Sequence, residues 1–228
     1  MATVALLASL QLGSAADITG KITLKGTPPP EKDLPLDPGC GALHKDDKPK
    51  TRFFAVAADG GLADVFVSIK DGLTGKTFEP SAQPGLLDQV GCEYSPYVLG
   101  LQTKQKLLIR NSDPLLHNVH PTPSKESGNA EFNQAQTPKA KDLEKTFEKP
   151  EVFLRFKCDV HPWMFAYVGI VDHPFFSVSA KDGTFKLSNV PAGTYTVEAY
   201  HRKGGQVSQK VTVGSDSVKA DFTIELKP

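Results

Sequence analysis

The segment Cys158-Asp159-Val160-His161-Pro162-Trp163-Met164 carries more chemical information than any other part of the chain. Cysteine, histidine and methionine stand three positions apart, so one short loop can place a thiolate, an imidazole and a thioether around one point. Met164 is the only methionine besides the first residue. A lone methionine usually fills a gap in an apolar core, but this spacing favours a ligand role.

Strand patterns surround this loop. EVFLRFK precedes it at 151–157 and FAYVGIV follows it at 165–171. The 228 residues include 18 prolines and 19 glycines, and no long apolar stretch with helical period follows the first dozen residues. We therefore expect an all-β fold. Residues 121–142 are polar and of mixed charge, which predicts a long surface loop.

A second metal-binding pattern lies upstream, in the strand HNVH at 117–120. Alternate side chains of a strand point to opposite faces, so only one of His117 and His120 can readily face a metal that Cys158 also binds. Two imidazoles, one thiolate and a distant thioether form the ligand set that suits copper cycling between Cu(I) and Cu(II). The competing interpretation is an inert core cysteine with hydrogen-bonded histidines.

These two segments resemble the cupredoxin family of type 1 (blue) copper proteins, and the C-x-x-H-x-x-M loop is most similar to that of amicyanin. The resemblance covers about residues 100–173. It implies a Greek-key β-sandwich or barrel and one copper ion bound by His117, Cys158, His161 and Met164. It also implies that Asn118 ties the histidine strand to the cysteine loop, and that His120 is a surface or hydrogen-bonded residue.

The resemblance further implies that the ring edge of His161 reaches the surface through an apolar patch. Pro162 and Trp163 are the neighbouring residues that would form part of this patch, and a redox partner would dock there. The alternative is that Trp163 simply packs beneath the loop.

The chain has three cysteines. Cys158 lies among metal-ligand types, so in an exported protein Cys40 and Cys92 are the natural disulfide pair. The alternative is that both stay reduced or bind a second metal with His44.

The sequences at the two ends of the chain indicate a signal peptide and a separate C-terminal module. Residues 1–16 contain a short apolar run followed by Ser14-Ala15-Ala16, as in a secretory signal peptide, although no basic residue precedes the run. A buried first strand is the alternative. We expect a copper domain at 17–173 and a small antiparallel β module at 174–228. Its stretch DGTFKLSNVPAGTYTVEAYH at 182–201 resembles the second half of a carboxypeptidase regulatory-like (transthyretin-like) repeat, and the module could borrow a strand from residues 17–26.

The composition excludes some functions. The formal net charge is zero, with 26 basic and 26 acidic residues, so the electrostatic basis for nucleic-acid binding is missing. The expected function is single-electron transfer with partner proteins by a periplasmic or secreted monomer with no membrane span in the mature chain. A copper-delivery protein is the alternative. An enzyme is disfavoured, because Cys158 has no adjacent histidine and the loop holds one cysteine rather than two.

Overall fold

The computed structural model describes residues 14–226. It contains seventeen β-strands and one four-residue helix, so the predicted all-β class is confirmed. In chain order the elements are β1 (Ala15–Lys25), α1 (Pro38–Gly41), β2 (Phe66–Asp71), β3 (Gly85–Val90), β4 (Glu93–Ser95), β5 (Val98–Gln102), β6 (Leu107–Asn111), β7 (His117–Thr122), β8 (Gln134–Gln136), β9 (Leu143–Lys145), β10 (Glu151–Lys157), β11 (Phe165–Val171), β12 (Phe176–Val178), β13 (Thr184–Pro191), β14 (Gly193–His201), β15 (Gly205–Val213), β16 (Val218–Lys219) and β17 (Phe222–Glu225).

Residues 85–171 form two sheets around one core, which we call the central sandwich. One sheet has the strand order β5-β11-β10-β7-β8, and the other has β4-β3-β6-β9. Inward-facing residues of both sheets, among them Leu87, Ile109, Phe156 and Val168, are fully buried together. The alternation of apolar and polar residues along β10 explains this arrangement, since every second side chain faces the core.

A second pair of sheets, the terminal sandwich, combines both ends of the chain. One sheet has the order β12-β2-β14-β15, and in the other β1 pairs antiparallel with β13 and parallel with β16 and β17. The expectation that an N-terminal strand joins the C-terminal ones is thus confirmed. The predicted boundaries of 17–173 and 174–228 do not match this pairing. The C-terminal strands alone lack enough apolar surface for a core, so β1 and β2 complete it.

The two sandwiches pack together where two glycines of one contact phenylalanine rings of the other. Gly100 and Gly169 lie opposite each other on β5 and β11. A Cβ atom on Gly169 would lie 2.7 Å from the ring of Phe66, and one on Gly100 would lie 2.5 Å from the ring of Phe176. Only glycine allows these rings to approach so closely, so the contact fixes β11 against the terminal sandwich.

Residues 27–50 form an arm that lies over one end of the central sandwich. Asp37 caps α1, since its Oδ1 accepts a hydrogen bond of 2.8 Å from Cys40 N. Cys40 and Cys92 form the predicted disulfide, which fastens the arm to the turn between β3 and β4. His44 Nε2 also lies 2.7 Å from Gly91 O on this turn.

Two further expectations concern the start of the chain. Residues 14–16 of the predicted signal peptide are part of the structure, where Ala15 and Ala16 pair with β13; residues 1–13 lie outside the described residues. Within residues 14–226, no helix is long and apolar enough to cross a membrane.

We predict that the buried His201 makes the fold sensitive to acid. Its ring is stacked on Phe54 and accepts a 2.9 Å hydrogen bond from Gly204 N at Nδ1. Burial, aided by the charge of Arg202, lowers the pKa of His201 to about 4. The unfolded chain therefore binds the proton more readily, and stability falls as the pH drops from about 6.5 to 4, by on the order of 3 kcal/mol.

The substitution His201→Asn keeps an acceptor at the δ position without the titrating ring. Urea unfolding between pH 7 and pH 4 should show a shallower loss of stability in this variant than in the parent protein. An identical pH slope in the two proteins would show that His201 is not the cause.

Candidate metal centre

Three of the four predicted ligands converge in the interior of the central sandwich. One ligand atom from each of His117, Cys158 and His161 lies within 4.8 Å of the others, and all three residues are buried. His117 Nδ1 lies 2.9 Å from His161 Nδ1, and Cys158 Sγ lies 3.6 Å from the same His161 nitrogen. Two imidazole nitrogens and a thiol sulfur thus face one small volume.

The loop between β10 and β11 positions two of these residues and Met164. Cys158 N donates to Met164 O at 3.0 Å, and Met164 N donates to His161 O at 2.9 Å. These bonds close the loop on itself. Met164 is buried in the same apolar cluster as Cys158, on the core side of the loop.

A carboxylate lies on the far side of each ring, next to the nitrogen that faces away from the site. His117 Nε2 lies 2.8 Å from Asp113 Oδ2, and His161 Nε2 lies 3.3 Å from Asp37 Oδ2. A neutral imidazole that donates Nε2–H to a carboxylate keeps a lone pair on Nδ1. The 2.9 Å separation of the two Nδ1 atoms is that of a hydrogen bond when one of them carries a proton, and loss of that proton leaves two lone pairs directed at one point, where a metal ion can take its place. Two imidazoles and one thiol, with the methionine Met164 on the same loop, form a donor set that fits copper.

The protonation of these residues depends on the carboxylates. Burial alone would lower the pKa of His117, but Asp113 and Cys158 together raise it to about 9. Burial raises the pKa of the Cys158 thiol, whereas His117 and the surrounding backbone N–H groups lower it, and the net shift is downward. The surroundings therefore make the thiolate, which is the form that binds metal, more accessible than in a free cysteine.

Asn118 links the two ligand-bearing segments, as the family resemblance implies. Its backbone N–H donates to Cys158 Sγ at 3.4 Å. Its side-chain Oδ1 accepts hydrogen bonds from Asp159 N at 2.6 Å and Val160 N at 3.3 Å. The start of the cysteine loop is thus held on β7, which also carries His117.

His120 faces away from this centre. Its ring lies between Asp159, 2.7 Å from Nδ1, and Glu131, 2.6 Å from Nε2. Hydrogen bonds from its ring to these carboxylates raise its pKa, with Glu131 the larger influence. The structure places His120 in a partly exposed hydrogen-bond cluster, at a distance from the ligand group formed by His117.

The expected exposure of His161 is wrong. Only 5% of its side chain is exposed, because Asp37 at the start of α1 and the disulfide of the arm cover it. Pro162 is exposed next to it, whereas Trp163 is half-buried and its indole N–H donates to Cys92 O at 3.1 Å. Trp163 therefore contributes to holding the loop on the turn between β3 and β4.

The two carboxylates are the residues that sequence reasoning missed. Asp113 stands four positions before His117, and its carboxylate also accepts hydrogen bonds from Gly91 N and Cys92 N at 2.6 and 2.7 Å. The short sequence distance between this carboxylate and a candidate ligand could have indicated that Asp113 orients the His117 ring. No sequence signal pointed to Asp37, because only the disulfide brings it to the site.

The chain resembles several solved copper proteins over part of its length. No family model matches it, and no curated protein does. An oxidised amicyanin variant is 18% identical over 46% of this chain and 97% of its own, with a TM-score of 0.34. The purple cupredoxin of Nitrosopumilus maritimus is 20% identical over 38% of this chain and 98% of its own, with a TM-score of 0.32.

The copper-containing nitrite reductase of Thermus scotoductus is 20% identical over 44% of this chain, with a TM-score of 0.35. This chain spans only 24% of that enzyme's length. At these identities and scores the likenesses do not decide what this chain binds or does.

We predict that Asp113 is required for tight metal binding. Asp113→Asn removes one acceptor from a carboxylate that receives three hydrogen bonds, so the His117 ring loses its fixed orientation. Loss of such a partner typically weakens metal affinity about 10–100-fold. Competition with a chelator of known copper affinity measures the change.

Asp142→Asn is the matched control, because Asp142 pairs with Arg110 on the surface. This control should retain the affinity of the parent protein. Equal affinity in Asp113→Asn and the parent would contradict the assigned role.

Proposed function

We propose that this protein binds one copper ion through His117, Cys158 and His161, with Met164 as the fourth donor, and acts as a single-electron carrier. The observation that carries the proposal is the convergence of two imidazole nitrogens and one thiol sulfur within 4.8 Å of one another, with a carboxylate behind each ring. Copper bound there would supply a one-electron couple, with the thiolate and thioether favouring Cu(I) and the imidazoles keeping Cu(II) accessible.

The surrounding residues support electron transfer by restricting movement. His117, Cys158 and His161 are 0%, 2% and 4% exposed. Burial excludes water from the donors, and the bonds of Asn118 and Asp113 hold them from outside. Donors held in one arrangement change little between two oxidation states, so the reorganisation that accompanies electron transfer is small.

The same burial argues against the alternative of copper delivery. A delivery protein passes its metal on by exchanging ligands one at a time, which requires donors that a partner can reach. Here the arm and its disulfide cover His161. Enzymatic activity is not part of the proposal, because electron transfer needs no substrate position on the metal.

A redox partner would dock on the apolar surface next to the ligands. Leu116 and Val160, each adjacent in sequence to a ligand histidine, are 45% and 52% exposed. Pro162, also adjacent to His161, is exposed as well. Small apolar surfaces close to the metal suit the weak, brief encounters of electron carriers. We place the docking surface at Leu116, Val160 and Pro162, with Trp163 at its edge.

We also propose a periplasmic or secreted location. A disulfide that fastens the arm over the site persists in oxidising compartments and is rare in the cytosol.

The first prediction concerns the spectrum of the copper-loaded protein. Cu(II) bound by the Cys158 thiolate should give intense visible absorption from sulfur-to-copper charge transfer. Cys158→Ser should abolish this band. A colourless protein that retains zinc in preference to copper under copper-replete conditions would contradict the proposed function.

The second prediction concerns the docking surface. Val160→Lys should slow electron self-exchange at least about tenfold, since two copies that meet through this surface would bring like charges together. NMR line broadening in mixtures of reduced and oxidised protein measures the rate.

Val152→Lys is the matched control, because Val152 is 45% exposed on β10 at the end away from the ligand loop. It should leave the rate nearly unchanged, and both variants should keep the parent's visible spectrum. Equal slowing by the two substitutions would show that the docking surface lies elsewhere.

A further inference from the structure

A cavity of about 260 Å³ lies beside the ligand loop, between the arm and the central sandwich. Its walls are mostly apolar, and include Leu34 and Pro35 from the arm and Phe53, Tyr97, Trp163 and Phe165. Ligand sites commonly combine an apolar lining with a few polar groups that fix orientation. A cavity of this size accommodates a molecule with one ring.

Arg52 supplies the polar group of this cavity. Its guanidinium lies over the ring of Tyr97, 4.9 Å from the centroid. The guanidinium makes one hydrogen bond, from Nη2 to Tyr94 O at 3.3 Å. Its Nε is buried without a hydrogen-bond partner, 3.9 Å from Glu93 Oε1. A guanidinium has five N–H donors, so most of those on Arg52 have no acceptor among residues 14–226.

The charges around the cavity favour an anion. Lys50, Arg52 and Glu93 are the charged residues that line it, which gives a net charge of +1. Glu93 lies on the Nε side of the guanidinium, and 39% of the Arg52 side chain is exposed. Planar guanidinium groups pair with carboxylates through two parallel hydrogen bonds.

We propose that this cavity binds a small aromatic carboxylate, with the carboxylate on Arg52 and the ring between Tyr97 and Trp163. His117, Cys158 and His161 do not line this cavity, whereas Met164 and, from the proposed docking surface, Pro162 and Trp163 do. Binding of the carboxylate does not depend on the proposed electron transfer. The ring enters a space that already holds aromatic side chains, and the carboxylate supplies the acceptors that Arg52 lacks.

The full-length, copper-free protein tests this proposal directly. Trp163 is the only tryptophan and lines the cavity, so its fluorescence reports occupancy. Titration with phenylacetate should give a saturable change. Phenylacetamide, which has the same shape without the charge, should bind at least about tenfold more weakly, because charge-assisted hydrogen bonds are the stronger class.

The Arg52→Gln variant should weaken phenylacetate binding to a similar extent and leave phenylacetamide binding unchanged. Arg110→Gln, which alters an arginine paired with Asp142 on the surface, should bind phenylacetate as the parent does. The absence of a saturable change, or equal affinity of the parent for the two probes, overturns the proposal. The comparison of probes on the parent protein holds even if Arg52→Gln fails to fold.

Discussion

The carboxylate of Asp113 is the group on which the geometry of the candidate metal centre depends. It accepts hydrogen bonds from the His117 ring and from the backbone N–H groups of Gly91 and Cys92. Cys92 adopts a φ of 55°, a left-handed conformation that costs a non-glycine residue about 1–2 kcal/mol. Asp113 offsets this cost by satisfying both N–H groups of the turn. One side chain thereby fixes the His117 ring and the turn that carries the disulfide.

The disulfide extends the same arrangement to the second histidine. Cys92 is joined to Cys40, and Asp37, three residues before Cys40, lies against the outer nitrogen of His161. Both ligand rings therefore have a carboxylate on the side away from the site, although one carboxylate is local in sequence and the other comes from the arm. This arrangement buries the ring of His161. The exposed apolar surface at the site is therefore formed by neighbouring residues and not by this ring.

The features of the site that could be predicted from the sequence are those whose residues lie close together in the chain. The spacing of Cys158, His161 and Met164 is local, and so was recognisable without a structure. The disulfide was predictable by elimination among three cysteines. The role of Asp37 and the burial of His161 could not be predicted. Both depend on an arm that has almost no regular structure and is held in place by a disulfide between cysteines 52 positions apart.

The domain boundaries were missed for a related reason. Strand patterns show that a segment is half-buried, but they do not show which sheet buries it. The parallel pairing of β1 with β17 joins residues about 200 positions apart, and only the partial resemblance that suggested a borrowed strand connects the two segments in the sequence. The apolar residues of β2 fit either sandwich by pattern alone. Its pairing with β12 and β14 assigns it to the terminal sandwich.

The terminal sandwich nonetheless bears on the metal centre, through β11. This strand begins at Phe165, directly after Met164, and pairs with both β10 and β5. Further along, Gly169 lies under the ring of Phe66 on β2. The strand that ends the ligand loop is therefore held by its two neighbours within the sheet and by the terminal sandwich on its outer face. Because β2 itself needs β14 as a partner, the C-terminal strands support the position of the ligand loop from a distance.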